Sequence, residues 1–394
     1  MRGVIRQIFE DHLPAVLAKR DLHDLSEREW RGAWCMATCR TAAQGTHALV
    51  CPDGHGTVKE AFNSCHHRGC VQCGWPATQR WIERREAQVL HGAHVHTIWT
   101  MPDVFDPLWL YNRKTYTELL FRACWETVHT LMADPRWCGG RPGMLAVFQS
   151  WGDYTQRHPH LHAIVTAGGV DDDGNWQEPK HSFVICARVA MELFRGKMRA
   201  FIIDGLSTGA LVCPPDTNTV YWTREADKQG LRKWNVHVQP PYAETGRVIR
   251  YLGAYLKRGP LSEKRVTSYD GHTVRIAHRH PEEHEADYYE LTGEECVRRL
   301  LLHMPEPRLH TSRSYGLYHP AAQKLLATAR AQIRLSPVPD DSTAEASRQP
   351  VSRVPSTPPP VCPECGRPLR VCVRIHGGQS PPASYRQQQR RRAA

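Results

Sequence analysis

Apolar residues recur at the spacing of an amphipathic helix through the first part of the chain. Residues three or four apart share one face of a helix, so this spacing predicts helical structure over residues 1–34. The apolar positions form two consecutive sets: Val4, Ile5, Ile8, Leu13, Val16 and Leu17, then Leu22, Leu25, Trp30 and Trp34. We therefore expect an N-terminal helical segment whose apolar face packs against the rest of the molecule.

Farther along, short apolar runs typical of strands are mixed with longer stretches of helical period. The predicted strands are 94–101, 143–150, 160–166, 234–238 and 273–277, and the predicted helices are 75–90, 112–132, 187–203 and 246–258. Strands and helices in this order suit an α+β fold in which an antiparallel sheet carries flanking helices.

The charge balance favours a polyanionic partner. The 394 residues include 51 Lys and Arg against 40 Asp and Glu, a formal net charge of +11, and the isoelectric point is about 9.1. Nucleic acid is the first candidate, and an ordinary soluble basic enzyme is the alternative. No apolar run approaches the roughly 18 residues of a membrane span and the N-terminus is charged throughout, so we expect a cytoplasmic, nucleoid-associated protein with no membrane partner.

Most of the fourteen cysteines are clustered, which points to metal binding rather than disulfides in a reducing compartment. Six lie between residues 35 and 73, and the two-residue gap between Cys70 and Cys73 lets both thiolates bind one tetrahedral ion. Structural zinc needs four closed ligands. The predicted set is Cys65, Cys70 and Cys73 with Cys39, Cys51 or His55, and a second ion remains open.

A second cysteine cluster lies at the other end of the chain. Cys362 and Cys365 form half of a ribbon-type zinc site, with Cys372 and His376 as candidate partners. The surrounding composition is rich in Pro, Ser and Arg, which buries too little apolar surface to offset the entropy of ordering. The expected organisation is a helical segment (1–34), a zinc-binding domain with its trailing helix (35–90), a main catalytic domain (91–333), and a disordered linker with a candidate small zinc ribbon (334–394).

His160 and His162 flank one apolar residue on the predicted 160–166 strand. Successive side chains of a strand point to opposite faces, so both imidazoles point the same way and can bind one divalent ion. The pattern alone is weak, because 23 histidines in 394 residues predict about one His-x-His pair by chance. Indeed His94 and His96 form a second such pair.

Two tyrosines share one face of the predicted 246–258 helix. Tyr251 and Tyr255 are four residues apart, which places the phenols about 40° apart, and Arg247 and Arg258 fall on the same stripe. A basic face suits contact with a phosphate backbone, and we predict DNA contacts at Arg247, Lys257 and Arg258. An amphipathic helix with two half-buried tyrosines is the structural alternative.

Together these groups suit phosphodiester chemistry. A phenol, with a pKa near 10, is a poor nucleophile toward an anionic phosphodiester. A metal held by two neutral histidines would polarise the phosphate oxygens, and arginines would steer the DNA backbone. The covalent phosphotyrosine would retain the bond energy for rejoining, and a second tyrosine would hold another strand while the first is still attached.

With these residues the sequence resembles a known family, the rolling-circle insertion-sequence transposases of the HUH class (the IS91 group). The likeness spans about residues 39–318 and rests on CRTAAQGTHALVC, NSCHHRGCVQC, HTIWTMP, FQSWGDYTQRHPHLHAIVTAGG, YLGAYLKR and RSYGLY, in this order. It implies the HUH endonuclease fold, an N-terminal region that binds Zn²⁺, and Mg²⁺ or Mn²⁺ at His160 and His162. It also implies that Tyr251 and Tyr255 form 5′-phosphotyrosine links on single-stranded DNA, at transposon ends and target DNA.

The resemblance separates the two histidine pairs and exposes two departures. His160 and His162 occupy the family's position, so we interpret His94 and His96 as structural. The segment Cys51-Pro-Asp-Gly-His55 lacks the second cysteine of the family's Cys-x-x-Cys-Gly-His, so His55 substitutes for it or one zinc site is incomplete. Gln149 stands where relatives often carry a histidine. HUH enzymes usually need a third ligand, for which the candidates are Gln149 and Asp153.

Two other functions remain candidates beside a transposase. A plasmid or phage rolling-circle replication initiator, or a mobilisation relaxase, would share the chemistry and differ in its DNA site. A non-catalytic zinc-dependent DNA-binding protein is an alternative of another class, against which the intact histidine and tyrosine pairs argue. The zinc region favours the transposase, which would nick and rejoin single-stranded DNA.

Overall fold

The structure is a computed structural model that describes residues 3–19, 26–55, 57–241, 249–250, 253, 259–278, 287–333 and 360–376. Its helices are α1 (Val4–Ala18), α2 (Glu27–Thr38), α3 (Trp75–Gln88), α4 (Asp106–Tyr111), α5 (Arg113–Ala133), α6 (Ala187–Ser207), α7 (Thr219–Gly230), α8 (Gly293–Leu302) and α9 (Gln323–Ile333). Its strands are β1 (Gly45–Val50), β2 (Thr57–Phe62), β3 (His94–Thr100), β4 (Gly143–Trp151), β5 (Arg157–Thr166), β6 (Gly169–Val170), β7 (Trp176–Gln177), β8 (Asn235–Val238), β9 (Val266–Tyr269), β10 (Thr273–Ala277), β11 (Tyr288–Thr292), β12 (Ser312–Gly316) and β13 (Arg370–His376). Among the helices described here, none has the length and apolar character needed to cross a membrane.

Local signals explain where several helices begin. Ser26 accepts a hydrogen bond from the backbone N–H of Glu29, whose carboxylate accepts one from the Ser26 N–H in return, so a capping box starts α2. Asn218 and Thr292 cap α7 and α8 in the same way through a side-chain oxygen. Each cap satisfies a backbone N–H that would otherwise lack a partner in the first turn.

A five-stranded antiparallel sheet forms the centre of the molecule, in the order β12-β4-β5-β3-β8. The middle strand, β5, pairs with β4 on one side and β3 on the other. Residues directly opposite in such a ladder share a face, which fixes what lies beside each side chain of β5. The α+β class with an antiparallel sheet and flanking helices, predicted from the sequence, is confirmed.

One face of this sheet packs against α5 and α6. Trp99, Phe148 and Leu161 alternate onto this face and join Phe121 of α5 and Phe194 of α6 in one buried cluster. The rings of Trp99 and Phe194 meet edge to face, 5.2 Å between centroids. Burial of such large apolar side chains is the main stabilising contribution to the domain.

The opposite face carries the histidines and a smaller apolar cluster. Val147 of β4 and Ile164 of β5 pack there with Trp81 and Ile82 of α3 and with Ile249. We call this surface the histidine face, because His94, His96, His160 and His162 all lie on it. It is enclosed by α3 and by the segment around residue 249.

A second sheet packs against the N-terminal helix α1 and against α8. Strands β9, β10 and β11 form an antiparallel sheet in the order β11-β10-β9. Ile5 and Ile8 of α1 pack with Ile276 of β10 and Val297 of α8 in a buried cluster that also contains Cys39, Cys70 and Cys73. The predicted helical segment at the N-terminus is therefore two helices, and they pack on residues from the second half of the chain.

The zinc-binding region has its own sheet, with β1 between β2 and β13. Residues 360–376 thus add a strand to β1, whereas sequence analysis assigned 334–394 to a linker and a separate ribbon. Residues 334–359 and 377–394 lie outside the described residues.

Most predicted elements of the main domain are present. The predicted strands 94–101, 143–150, 160–166, 234–238 and 273–277 correspond to β3, β4, β5, β8 and β10, and the helices 75–90, 112–132 and 187–203 to α3, α5 and α6. Most of the predicted helix 246–258 lies outside the described residues, but Ile249, Arg250 and Gly253 are helical. The elements that were not predicted are α4, α7, α8, α9, β1, β2, β6, β7, β9, β11, β12 and β13.

Candidate functional site

His160 and His162 lie side by side in the middle of the histidine face. His160 is opposite Thr100 of β3 and Gln149 of β4, and His162 is opposite Ile98 and Val147. Each histidine is only 7% exposed. Their Nε2 atoms are 2.9 Å apart, as expected for side chains that alternate onto one face of a strand.

The other ring nitrogen of each histidine has a defined partner. His160 Nδ1 donates to the carbonyl oxygen of His158 at 2.7 Å. His162 Nδ1 lies 3.0 Å from His96 Nε2, and His96 Nδ1 lies 3.1 Å from Gln239 Oε1. An amide oxygen only accepts, so His96 carries its proton on Nδ1 and accepts at Nε2 from His162. Both members of the pair are thereby protonated on Nδ1.

This tautomer assignment directs two Nε2 lone pairs at each other across 2.9 Å. Two lone pairs this close repel each other, and a positive charge between the two nitrogens would relieve that repulsion. A proton is disfavoured there, because burial lowers the pKa of His160 to about 4 and lowers the pKa of His162 well below its usual value. A divalent cation fits better, since two ligands about 2.1 Å from one ion and this far apart subtend close to 90°, as in octahedral coordination.

The candidates for a third ligand are placed differently. Gln149 is half-buried and lies opposite His160 on the same face of the sheet. Asp153 is beyond the end of β4, where its carboxylate is 4.0 Å from His278 and its carbonyl oxygen accepts from Arg265. Of these two residues, Gln149 is therefore the one beside the histidine pair.

The second histidine pair divides into two roles. His94 is enclosed between the Gly92 carbonyl oxygen, 2.8 Å from Nδ1, and the Tyr318 hydroxyl, 2.5 Å from Nε2, which agrees with the expected structural role. His96 instead contacts His162. Sequence reasoning missed this contact, because it depends on the register between β3 and β5.

The candidate nucleophiles Tyr251 and Tyr255 and the candidate DNA contacts Arg247, Lys257 and Arg258 lie outside the described residues. Three residues close to them in the sequence are described. Ile249 is fully buried in the cluster on the histidine face. Arg250 makes a 2.7 Å ion pair with Glu86 of α3, and a Cβ on Gly253 would meet the side chain of Ile82. Helical residues on both sides of Tyr251 thus pack on α3.

Four cysteines of the N-terminal region converge on one point. The sulfur atoms of Cys39, Cys65, Cys70 and Cys73 all lie within 4.8 Å of one another. The Cys65 and Cys73 sulfurs are 3.5 Å apart, close to the roughly 3.8 Å edge of a tetrahedral zinc–thiolate site. Of the alternatives for the fourth ligand, Cys39 at the end of α2 is the one present.

Cys51 and His55 belong to a different group. Their ligand atoms converge with those of Cys362 and Cys365, all within 4.8 Å of one another. Cys51 and His55 were alternatives for the fourth ligand of the first cluster, and the structure places them in the second group, in keeping with the second ion left open. One expectation is corrected, because Cys362 and Cys365 do not stand in a separate ribbon. Nothing is described of the Cys372 side chain, and only its backbone is placed, in β13.

A basic cavity of about 480 Å³ lies between the zinc-binding region, α3 and the end of β4. Its lining includes Arg40, Arg68, Arg80, Arg84 and Arg113, with Trp81, Trp109 and Trp151. Among the described residues that line it, Glu306 is the only acid, and it pairs with Arg28 at 2.5 Å. The arginines come from several separate segments, so the sequence carried no signal for this cavity.

Comparisons with known proteins agree on one family. A family profile described as "Transposase zinc-binding domain" matches residues 8–101, and one described as "Putative transposase" matches residues 143–325. The "Putative transposase y4qJ" of Sinorhizobium fredii is 33% identical over 365 residues, which cover 90% of this chain and 89% of that protein. The "Transposase for insertion sequence element IS801" of Pseudomonas savastanoi pv. phaseolicola is 28% identical over 291 residues, 71% of this chain and 68% of that protein. No solved structure matches the chain.

Proposed function

Because this chain belongs to the IS91/IS801 family of insertion-sequence transposases, we propose that it nicks and rejoins single-stranded DNA through a 5′-phosphotyrosine intermediate in rolling-circle transposition. The observation that carries the proposal is the buried pair of Nε2 atoms on His160 and His162, 2.9 Å apart. A site that suits a cation, on the face of the sheet where Ile249 packs, fits metal-assisted phosphodiester chemistry.

We assign Mg²⁺ or Mn²⁺ to His160 and His162, with Gln149 as the third ligand. Bound there, the ion would polarise the scissile phosphate and offset charge in the transition state. His158 and His96 hold the two ligand rings in the Nδ1-protonated tautomer, and Gln239 in turn orients His96. Partners of this kind fix the ring orientation and raise the basicity of the ligating nitrogen.

We assign the nucleophile to Tyr251 and Tyr255. The tyrosine oxygen would bond to phosphorus while the bond to the 3′ oxygen breaks, so that the phenol proton is lost and the leaving 3′ oxygen gains a proton. The burial of Ile249 on the histidine face supports this assignment, as does the packing of Gly253 against Ile82. Arg247, Lys257 and Arg258, predicted on the same helix, would contact the DNA backbone.

We assign the structural Zn²⁺ to Cys39, Cys65, Cys70 and Cys73, and single-stranded DNA to the basic cavity. Trp81 links this cavity to the histidine face, because it lines the cavity and also packs with Ile82 and Ile249. Arginines and tryptophans together offer phosphate contacts and stacking surfaces for unpaired bases. A strand held in the cavity would therefore run toward the histidine face.

Covalent adduct formation tests the proposal. The purified protein, incubated with Mn²⁺ and single-stranded DNA that carries the element end, is expected to give a protein–DNA adduct on a denaturing gel. The Tyr251→Phe/Tyr255→Phe variant should give none, and His160→Ala/His162→Ala should lose most of it. Tyr111→Phe, which changes a tyrosine that is 55% exposed, is the matched control. Adduct from the double tyrosine variant would refute the nucleophile assignment.

A further inference from the structure

Two cysteine turns from opposite ends of the chain face each other beside β1. Cys51-Pro-Asp and Cys362-Pro-Glu have the same order of residue types, and each chain folds back after the acid. Gly54 N–H donates to the Cys51 carbonyl oxygen at 3.2 Å, and Gly366 N–H donates to that of Cys362 at 2.9 Å. Both glycines have a positive φ, 82° and 68°, which side chains rarely tolerate.

The donor set is complete for a tetrahedral ion. Cys51 Sγ is 3.4 Å from Cys365 Sγ and 3.5 Å from His55 Nδ1, and Cys362 Sγ is also 3.5 Å from His55 Nδ1. These separations exceed the roughly 2.05 Å of a disulfide. They match neighbouring ligands about 2.1 to 2.3 Å from one zinc ion. The Asp53 N–H donates to Cys51 Sγ at 3.4 Å.

The protein contacts around these ligands are sparse. The apolar cluster at the junction consists of Leu49, Cys51, Cys362 and Leu369, and an ion pair of 2.9 Å joins Arg367 to Asp53. The backbone ladder between β1 and β13 completes the contact. So small a core gives a short strand little independent stability, and a structural metal is the usual supplement.

We propose that Cys51, His55, Cys362 and Cys365 bind a second structural Zn²⁺ that fastens the C-terminal strand β13 to the zinc-binding region. His55 takes the place of the cysteine that the first turn lacks. The matched zinc-binding profile ends at residue 101, so half of this site lies outside it. The ion acts as a crosslink between residues that are far apart in the sequence.

The second site differs from the first in exposure. Cys39, Cys70 and Cys73 are buried, whereas His55 and Cys365 are exposed. A chelator therefore reaches the second ion more readily. Treatment with a chromogenic chelator should release zinc in two phases, and the fast phase should correspond to one zinc per chain.

Zinc content per chain tests the ligand set. Cys362→Ser/Cys365→Ser and Cys51→Ser/His55→Ala should each contain one zinc fewer than the unaltered protein, and so should the variant with all four changes. If Cys51/His55 and Cys362/Cys365 belonged to two separate zinc sites, the variant with all four changes would instead lose two zinc ions. That result would overturn the proposal. Unchanged zinc in either double variant would do the same. Cys186→Ser/Cys213→Ser, which alters cysteines outside both groups, is the control.

A second experiment avoids misfolded variants. A protease site placed within residues 334–359 of the full chain allows the C-terminal part to be cut from the folded protein. The fragment should stay bound during gel filtration while zinc is present and should separate after chelation. A fragment that separates with zinc still bound, or that stays after the metal is stripped, would contradict the proposal. Neither readout depends on DNA cleavage, so both are independent of the proposed function.

Discussion

His96 Nε2 lies 3.0 Å from His162 Nδ1 across the β3–β5 ladder. The two rings are nearly parallel, 15° between planes, so a histidine of one strand sets the orientation of a histidine on the next. His96→Ala should remove the acceptor that holds the His162 tautomer. We expect Mn²⁺ affinity to fall about 10- to 100-fold, the usual effect of losing such a partner.

Mn²⁺ titration followed by electron paramagnetic resonance measures this effect. His181→Ala removes an exposed histidine that contacts Trp137 and Phe183 and should leave the affinity unchanged. If His96→Ala binds Mn²⁺ as tightly as the unaltered protein, the contact does not orient the ligand.

Substitutions at Gln149 and at Asp153 should differ in their effect on Mn²⁺ affinity, because we assign only Gln149 as the third metal ligand. Gln149→Ala should weaken Mn²⁺ binding, and Gln149→Glu should strengthen it, because a carboxylate adds charge at the same position. Asp153→Ala should have no effect, since that side chain lies beyond the strand end near His278. Isothermal titration with Mn²⁺ gives all three affinities, and weaker binding by Asp153→Ala alone would reverse the assignment.

The packing of Gly253 on α3 predicts that one substitution impairs adduct formation and that a second substitution restores it. A Cβ at this position would meet Ile82 Cγ1 well inside contact distance, so Gly253→Ala should push residue 253 off α3 at a cost of about 1–3 kcal/mol. DNA adduct should fall about tenfold or more while Mn²⁺ affinity is kept. Ile82→Ala/Gly253→Ala should recover most of the adduct, and a double variant no better than Gly253→Ala would argue against this packing.

The basic cavity predicts a change in salt dependence. Arg80→Ala/Arg84→Ala should weaken single-stranded DNA binding and reduce the slope of log affinity against log salt by about 1.4, since each phosphate contact on a single strand contributes about 0.7. Fluorescence anisotropy at several salt concentrations measures the slope. Arg136→Ala/Arg188→Ala removes the same charge from side chains that are each 84% exposed and do not line the cavity. An equal loss of DNA affinity in this control would mean that the effect comes from net charge alone.

Buried neutral histidines predict acid sensitivity. Burial lowers the pKa of His94 and of His303 in the folded protein to about 4, against about 6.5 when unfolded. Between these values the unfolded chain binds more protons, so the free energy of unfolding falls as the pH drops from 6.5 to 4. Each histidine contributes about 1.4 kcal/mol per pH unit in that window and nothing above it.

Urea unfolding at pH 5, 6 and 7 checks this prediction for His303. Its ring accepts from the Ser150 hydroxyl at 3.1 Å and donates to the Thr155 carbonyl oxygen at 2.9 Å. In His303→Gln, the number of protons that the chain takes up on unfolding in this pH range should be lower by about one. A slope identical to that of the unaltered protein would mean that His303 is not held neutral.

Strong periodicity made the central elements predictable from sequence. Some elements have long apolar patterns with the period of either a strand or a helix: β3, β5, α3 and α5. Their bounds match the prediction to within a few residues. Strand β12 was missed because its SRSYG sequence is polar and mostly half-buried. Strand β13 was missed because the Pro- and Ser-rich composition around it favoured disorder.

The sites were predictable only as fragments. The contact between His96 and His162 depends on strand register, and a slip of one residue would place them on opposite faces. Cys362 and Cys365 were recognised as half of a zinc site, and Cys51 and His55 as candidate ligands of another. Joining the halves requires the pairing of β1 with β13, which no local pattern indicates.

The position of β1 also constrains how the protein is made. This strand lies in the middle of its sheet, yet one of its two neighbours is β13. A ribosome delivers the chain from its N-terminus, so β1 keeps an open edge until residues 370–376 have emerged. Nascent or prematurely terminated chains would expose that edge to other strands. Completion of the zinc-binding region is in this way tied to completion of translation.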